Sequence, residues 1–244
     1  MKYLCDPEII PAIVPHDIPQ IASFGSSVAE YSTWLHVDID DGRFEAAVTW
    51  PFGDPAQTYE LETFQELCRL PEVLSLEVHL MVADPLTVGE QFARAGFKRV
   101  IAHIEAFQSP EATHQALAAF RAAGASEVGL AVKIDTPVSA IDEFAGECDV
   151  IQLMSIAVIG SQGQAFEDRV LARVEELHAN HPDMMVAVDG GVSEATVEEL
   201  VRAGANRLVV GHALSESTKP ATMYAKILER AMRGCAPRSP EITI

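Results

Sequence analysis

The sequence predicts a single-domain (β/α)8 barrel, and three observations support this fold class. Eight short apolar segments rich in Val, Ile and Leu recur along the 244 residues, and helical patterns separate most of them. No linker, low-complexity tract or shift in composition divides the chain. Strands that alternate with helices pair in parallel through crossovers, and eight such units in this length favour a closed barrel over an open sheet.

The predicted strands are short, as strands of a buried parallel sheet usually are. They cover residues 9–14, 34–39, 75–81, 99–105, 127–133, 149–155, 184–190 and 207–213. We assign the barrel to residues 1–234 and interpret residues 235–244 as an appended tail. The segment 45–70 is the longest irregular connection, and we expect an elaborated loop there at the functional rim.

The helical patterns have recognisable starts and ends. Three with clear 3.6-residue spacing that stop at glycine cover residues 85–96, 110–124 and 193–204. Pro85 and Pro110 suit the first turn of a helix, where the missing N–H costs nothing. Ser193 suits an N-cap, because its side chain can accept a hydrogen bond from a free backbone N–H.

The composition excludes several classes of protein. A formal net charge of −19 disfavours nucleic acid as a partner, because neutralising phosphates requires a basic face, although backbone N–H groups can still hold a small anionic substrate. The longest apolar runs are short and broken by charge, so we expect no membrane-spanning helix. Asp6, Pro7 and Glu8 interrupt the apolar region that a secretory signal would need.

The four cysteines, Cys5, Cys68, Cys148 and Cys235, are scattered and form no CxxC pair. We therefore expect neither a disulfide framework nor a thiolate zinc site. A reducing cytoplasm is the default location for such a chain.

The stretch WLHVDIDDGRF, residues 34–44, places polar residues inside an apolar, β-branched run. Side chains of a strand alternate between faces, so His36, Asp38 and Asp40 share one face. A charged face inside a fold costs several kcal/mol unless something compensates it. Solvent, an ion pair or a metal could provide that compensation.

Other predicted strands also carry polar residues at their carboxyl ends, which in this barrel type converge on the active-site mouth. Besides His36 and Asp38, they are His79, His103, Glu105 and Asp189. Each alone could be a hydrogen-bonded core residue or a turn former. Their joint placement favours a divalent-metal site with nitrogen and oxygen ligands.

These residues carry a family resemblance that extends from about Ile9 to Leu214. HVDIDDGRF resembles the HVDVMDGHF pattern of the ribulose-phosphate 3-epimerase family, and LEVHLMVADP resembles its DVHLMVENP. LMSIAVIGSQGQAF resembles LMSVNPGFGGQSF, and VAVDGGVSEATVEELVRAGANRLVVGHAL resembles the VDGGI…AGAN…GSA ending. The resemblance implies the same barrel and a cytoplasmic enzyme of pentose phosphate metabolism.

The resemblance also implies a chemistry for this chain. His36, Asp38, His79 and Asp189 would bind one divalent metal (Zn, Mn, Fe or Co, with Zn favoured), and Asp38 and Asp189 would be the catalytic acid and base. The reaction would convert D-ribulose 5-phosphate to D-xylulose 5-phosphate by two-base proton transfer through a metal-stabilised enediolate. The substrate-binding residues would be Met81, Met154, Gly160, Gly163, Gln164, Gly190, Gly191, Gly211 and His212. The implied partner is a small sugar phosphate, with no nucleic acid and no membrane, and a homo-oligomer is left open.

Several positions depart from the family pattern. Asp40 stands where the family has a methionine, Arg43 replaces its histidine, and Ala12 replaces the serine of its first strand. Lys133 stands at the end of predicted strand five, where the family has an asparagine, and His212 replaces a serine of the phosphate site. The metal and acid–base half of the site is thus retained, whereas the part that grips the substrate is altered.

Three alternatives to this epimerase stay open at the level of sequence. The chain could be an aldolase or lyase that uses Lys133 or a metal, an epimerase of a different ketose or ketose phosphate, or a non-catalytic barrel that binds a sugar phosphate. Retention of both candidate bases and all four candidate ligands favours an epimerase, because a sensor would not need two acids.

Overall fold

The computed structural model describes residues 5–53 and 70–235. Eight parallel strands close into a barrel in chain order, and β1 pairs with β8 to complete it. The strands are β1 (Glu8–Ile13), β2 (Trp34–Asp40), β3 (Ser75–Met81), β4 (Arg99–His103), β5 (Glu127–Val132), β6 (Val150–Met154), β7 (Met185–Asp189) and β8 (Arg207–Val210). The predicted fold class is confirmed. The proposed tail, apart from Cys235, and residues 54–69 of the predicted rim loop lie outside the described residues.

Helices pack around the outside of the barrel between successive strands. Within the described ranges they are α1 (Ile18–Val28), α2 (Pro85–Arg94), α3 (Pro110–Ala123), α4 (Arg169–Asn180), α5 (Val197–Ala203), α6 (His212–Ser215) and α7 (Pro220–Gly234), with short 3-10 helices at Ile104–Ala106 and Val138–Ile141. Within these ranges, no helix has both the length and the apolar character needed to cross a bilayer.

The predicted helix starts are confirmed at two prolines and wrong at Ser193. Asp84 and Ser109 cap the helices that open at Pro85 and Pro110, each accepting a backbone N–H with its side chain. The third helix begins at Val197 instead. Ser193 lies in the preceding turn, where its hydroxyl accepts the N–H of Ala195 at 3.3 Å, so it caps a turn rather than the helix.

The main apolar core fills the space between the strands and the surrounding helices. The outward-facing residues of each strand form it, as Leu35, Val37 and Ile39 of β2 do, all with no exposed surface. A smaller apolar layer inside the barrel is formed by Ile101, Ala131, Val150 and Ala187. The odd-numbered and even-numbered positions of β2 therefore point to different cores, as the alternation predicts.

The amino-terminal end of the barrel interior contains a buried ionic network. Arg99 pairs with Glu77 and, at 2.9 Å, with Glu127. Arg207 in turn joins Glu127 at 2.7 Å to Glu8 at 3.2 Å. Both guanidinium groups are at least nine-tenths buried, so each of these charges depends on its partners for compensation.

One disulfide contradicts the expectation drawn from cysteine spacing. Cys5, before β1, is bonded to Cys235, after α7, with their Cα atoms 5.5 Å apart. Their separation of 230 residues hides this pairing in the sequence, whereas closure of the barrel brings the segment before β1 next to the end of α7. Cys148 is free.

Candidate active site

The strand register brings the predicted ligands together at the carboxyl end of the barrel. Asp38 on β2 lies directly beside His79 on β3, and His36 precedes Asp38 by one inward-facing position. Asp189 is the last residue of β7. Within the described part of the chain, these four residues form the one group whose donor atoms could hold a metal ion, with all four atoms within 4.8 Å of one another.

The distances between donor atoms agree with a small coordination sphere. Asp38 Oδ1 lies 3.1 Å from His36 Nε2 and 2.9 Å from His79 Nδ1. Asp189 Oδ2 lies 3.4 Å from His79 Nδ1 and 3.9 Å from His36 Nε2. Tetrahedral ligands at about 2.0–2.1 Å from zinc are separated by roughly 3.3 Å, which falls inside this range. Two neutral imidazoles and two carboxylates also form a donor set that suits Zn²⁺ and similar cations.

Burial and neighbouring charges separate the protonation preferences of the two aspartates. Burial alone would raise the pKa of Asp38, but the adjacent His36 and His79 imidazoles hold it well below its usual range. Burial and the nearby charge of Asp38 raise the pKa of Asp189. Burial opposes the charged form of His36, yet Asp38 and Glu77 raise its pKa well above the usual value. The cluster thus concentrates negative charge that a cation would neutralise.

Two buried residues that the sequence interpretation did not identify orient this cluster. The Glu77 carboxylate contacts His36 Nδ1 at 2.6 Å, which directs His36 Nε2 towards Asp38. The Gln152 amide donates to Asp189 Oδ2 at 3.2 Å. Their positions were a usable signal, because Glu77 lies two residues before His79 and therefore shares its inward face.

His103 and Glu105 lie behind the cluster rather than in it. His103 Nε2 is 2.9 Å from His79 Nε2, on the side of that ring away from Asp38. Its other nitrogen is 3.1 Å from Glu105 Oε2. Burial, together with the neighbouring His79, lowers the pKa of His103 to about 4 despite the Glu105 carboxylate, so this imidazole is neutral at physiological pH.

A cavity of about 190 Å³ opens directly above the cluster. Asp38 and Asp189 lie at its floor, whereas His36 and His79 are fully buried beneath it. The lining includes every residue that the resemblance assigned to substrate binding: Met81, Met154, Gly160, Gly163, Gln164, Gly190, Gly191, Gly211 and His212. The structure therefore brings all of these predicted positions to one cavity.

The glycines after β7 are required by backbone shape and space. Gly190 and Gly191 have φ angles of +104° and +62°, in the range that L side chains rarely adopt. A Cβ at Gly191 would lie 2.9 Å from Phe166 Cβ, and one at Gly190 would lie 2.7 Å from Ile156. Conformation and space thus both disfavour any other residue at these two positions of the cavity wall.

The positions that depart from the family pattern have distinct environments. Asp40 is fully buried, and neither of its carboxyl oxygens has a hydrogen-bond partner among residues 5–53 and 70–235. Burial and the nearby Asp38 raise the pKa of Asp40 to about 8. The Gln162 amide donates to the Ala12 carbonyl at 3.2 Å and covers the space above Gly211. Gln162 is a cavity residue that the sequence interpretation missed.

Lys133 does not reach the cavity. Its ammonium pairs with Glu45 of the loop after β2 and lies 4.2 Å from the centroid of the Phe44 ring. This ion pair holds the start of the rim loop against the end of β5.

Comparison with known proteins identifies the family. The model of the family described as "Ribulose-phosphate 3 epimerase family" matches residues 8–215. The chain belongs to the ribulose-phosphate 3-epimerase family. This membership places it among the isomerases that act on carbohydrates and confirms the resemblance drawn from the HVD, HLM and DGG motifs.

Curated relatives match most of the chain. A ribulose-phosphate 3-epimerase of Mycobacterium leprae (strain TN) is 30% identical over 229 residues, which cover 92% of this chain and 95% of that protein. The ribulose-phosphate 3-epimerase of Rhodobacter capsulatus is 32% identical over 210 residues, or 84% of each chain. The similarity therefore extends over nearly the whole barrel.

Solved structures with lower identity share the fold. KGPDC from Streptococcus mutans superposes with a TM-score of 0.70 at 16% identity, covering 93% of this chain and 98% of that one. A 3-hexulose-6-phosphate synthase superposes with a TM-score of 0.68 at 18% identity, covering 91% and 99%. At this identity the similarity shows the barrel architecture alone.

Proposed function

We propose that this protein is a metal-dependent epimerase that interconverts D-ribulose 5-phosphate and D-xylulose 5-phosphate, with one divalent cation per chain. The observation that carries the proposal is the joint position of Asp38 and Asp189. Both carboxylates lie at the floor of one cavity and share one compact cluster with His36 and His79. Relatives named ribulose-phosphate 3-epimerase support the choice of substrate.

Two carboxylates on different strands suit the inversion of a carbon next to a ketone. One accepts the proton from one face of that carbon, and the other returns a proton to the opposite face. Asp38 and Asp189 come from the non-adjacent strands β2 and β7 and converge on the cavity from different sides. A divalent cation held by the cluster would supply Lewis-acid stabilisation of the negative charge that develops on the ketone oxygen.

The remaining cavity wall has the character of a site for a phosphate group. Gly190, Gly191 and Gly211 lie in the loops after β7 and β8, and barrels of this type hold phosphate with these two loops. Backbone N–H groups can bind an anion without any cationic side chain. Among the lining residues that the structure describes, His212 is the one side chain able to carry a positive charge.

Proton exchange with solvent tests the two-base mechanism. Turnover of D-ribulose 5-phosphate in heavy water should introduce deuterium at the carbon that is inverted. Asp38→Asn and Asp189→Asn should each reduce turnover by more than the ~10²–10⁴-fold contribution of one acid or base, because the cation site is also disturbed. Asp142→Asn, which alters a surface pair with His181, is the matched control and should retain full activity. Turnover without deuterium incorporation would contradict the mechanism.

Metal content and ligand preference test the other two parts of the proposal. Elemental analysis should give one divalent cation per chain in the wild type and none in His79→Ala. Affinity should be higher for the phosphorylated ketose than for its unphosphorylated analogue, and His212→Ser should reduce this preference. Equal affinity for both ligands would refute the phosphate site, and full metal occupancy in His79→Ala would refute the assigned ligands.

A further inference from the structure

Three polar side chains form a row that ends at the metal-ligand cluster. His79 Nε2 lies 2.9 Å from His103 Nε2, and His103 Nδ1 lies 3.1 Å from Glu105 Oε2. Both imidazoles are fully buried, and the Glu105 side chain is 20% exposed. None of the catalytic steps proposed above uses His103 or Glu105, so their role remains to be explained.

The chemistry of the row fixes the order of its protons. An ionised carboxylate only accepts hydrogen bonds, so Glu105 requires the proton of a neutral His103 to be on Nδ1. His103 Nε2 is then an acceptor and requires a proton on His79 Nε2. The remaining nitrogen of His79, Nδ1, keeps a free lone pair and faces Asp38 at 2.9 Å. A ring nitrogen must be free of its proton to bind a metal.

We propose that Glu105 and His103 are positioning residues that select the metal-binding tautomer of His79 and thereby raise the affinity of the cluster for a divalent cation. This inference rests on the metal site of the proposed function. The second histidine ligand has a shorter version of the same arrangement, in which Glu77 accepts directly from His36 Nδ1 at 2.6 Å. The far nitrogen of each histidine ligand thus contacts a carboxylate, directly in the case of the buried Glu77 or through one imidazole in the case of the partly exposed Glu105.

A conservative substitution at Glu105 should reverse the direction of the hydrogen bonds along the row rather than merely remove one of them. The second oxygen of Glu105 accepts the backbone N–H of Lys133 at 2.8 Å. In Glu105→Gln the amide oxygen would keep that bond, and the amide nitrogen would face His103 Nδ1 as a donor. The proton of His103 would then move to Nε2, His79 Nε2 would accept it, and His79 Nδ1 would carry the proton that excludes a metal.

Competition titration measures the predicted effect. Metal-free wild type and Glu105→Gln are titrated with Zn²⁺ against a chelator of known affinity. We expect the variant to bind about 10–100-fold more weakly, as is usual when a residue that orients a ligand is changed. Glu147→Gln is the matched control, because Glu147 contacts His114 Nδ1 at 2.7 Å on the surface, and its Zn²⁺ affinity should equal that of wild type.

Nitrogen-15 NMR of the histidines provides a readout that a merely structural role would not change. Zinc-loaded wild type should show a proton on His79 Nε2 and on His103 Nδ1, and Glu105→Gln should show the His103 proton on Nε2. Equal Zn²⁺ affinity in wild type and Glu105→Gln, or a His103 proton on Nε2 in wild type, would refute the positioning role of Glu105 and His103 but not the metal site. A wild type without a stoichiometric Zn²⁺ site would overturn the metal site as well. The proton positions in the wild-type spectrum test the proposal even if the variant folds poorly.

Discussion

Replacing Asp40 tests the least expected residue of the site. Asp40 stands where the family motif has a methionine, beside Met81 in the strand register. Its carboxyl group lies close to Gly160, because a Cβ on Gly160 would be 2.6 Å from Asp40 Oδ1. We expect both Asp40→Asn and Asp40→Met to stabilise the metal-free protein at neutral pH. Methionine should stabilise it more, because it leaves no polar group without a partner.

The size of the effect follows from the raised pKa of Asp40. The folded carboxyl titrates near pH 8, whereas its ordinary value is 3.8. Between these values the folded state holds a proton that the unfolded state has released, so stability falls as pH rises from 3.8 towards 8. Each pH unit costs up to 1.36 kcal/mol, which gives about 2–3 kcal/mol between pH 5 and pH 7.5.

Urea denaturation at several pH values measures this contribution. Asp40→Asn preserves the size of the side chain and removes its titration, so the other acids cancel in the comparison with wild type. The gain in the free energy of unfolding over wild type should grow by about 2–3 kcal/mol from pH 5 to pH 7.5. Parallel curves for the two proteins would refute the reasoning, because they would mean that Asp40 is ionised in the folded state.

Three further predictions concern contacts away from the cavity floor. Arg99→Met should lower the free energy of unfolding by about 3–5 kcal/mol, because it leaves the buried Glu77 carboxylate without its guanidinium partner. The double variant Arg99→Met/Glu77→Gln should recover most of this loss in urea denaturation. Removing the disulfide by Cys5→Ser should lower the free energy of unfolding by up to about 5 kcal/mol, since the bond closes a loop of some 230 residues. The melting temperature of the variant should be lower than that of wild type, and a reductant should lower the melting temperature of wild type but not that of the variant. Lys133→Met should retain epimerisation, because Lys133 pairs with Glu45 outside the cavity. Borohydride added to wild type with substrate should trap no Schiff-base adduct. Loss of turnover in the variant, together with a trapped adduct in wild type, would favour the lyase alternative.

The fold was predictable because alternation of short apolar strands with capped helices is a local signal. The helix starts at Pro85 and Pro110 were visible because proline suits the first helical turn, and the residue before each proline caps the helix with its side chain. The prediction that Ser193 is a helix N-cap was wrong because a serine before an apolar pattern can cap either a helix or a tight turn. The disulfide was not predictable, because only closure of the barrel brings Cys5 to Cys235.

The ligand cluster was predictable because its members lie on the inward face of strands that all run in one direction, in the middle or the carboxyl half of each strand. What the sequence did not reveal are contacts between side chains on different strands. Glu77 reaches His36, and Gln152 reaches Asp189, through the strand register and rotamers that spacing alone does not specify. Asp40 was visible as a departure, but spacing alone does not show that its carboxyl oxygens find no hydrogen-bond partner within the described part of the chain.

The bond between Cys5 and Cys235 makes the barrel a covalent ring. One backbone cut in the loop after β6, for example beside the exposed Val158, would open that ring into a single linked molecule instead of releasing two fragments. Such a nicked protein would run as one species on a denaturing gel until it was reduced. Reduction would then separate the part of the chain before the cut from the part after it.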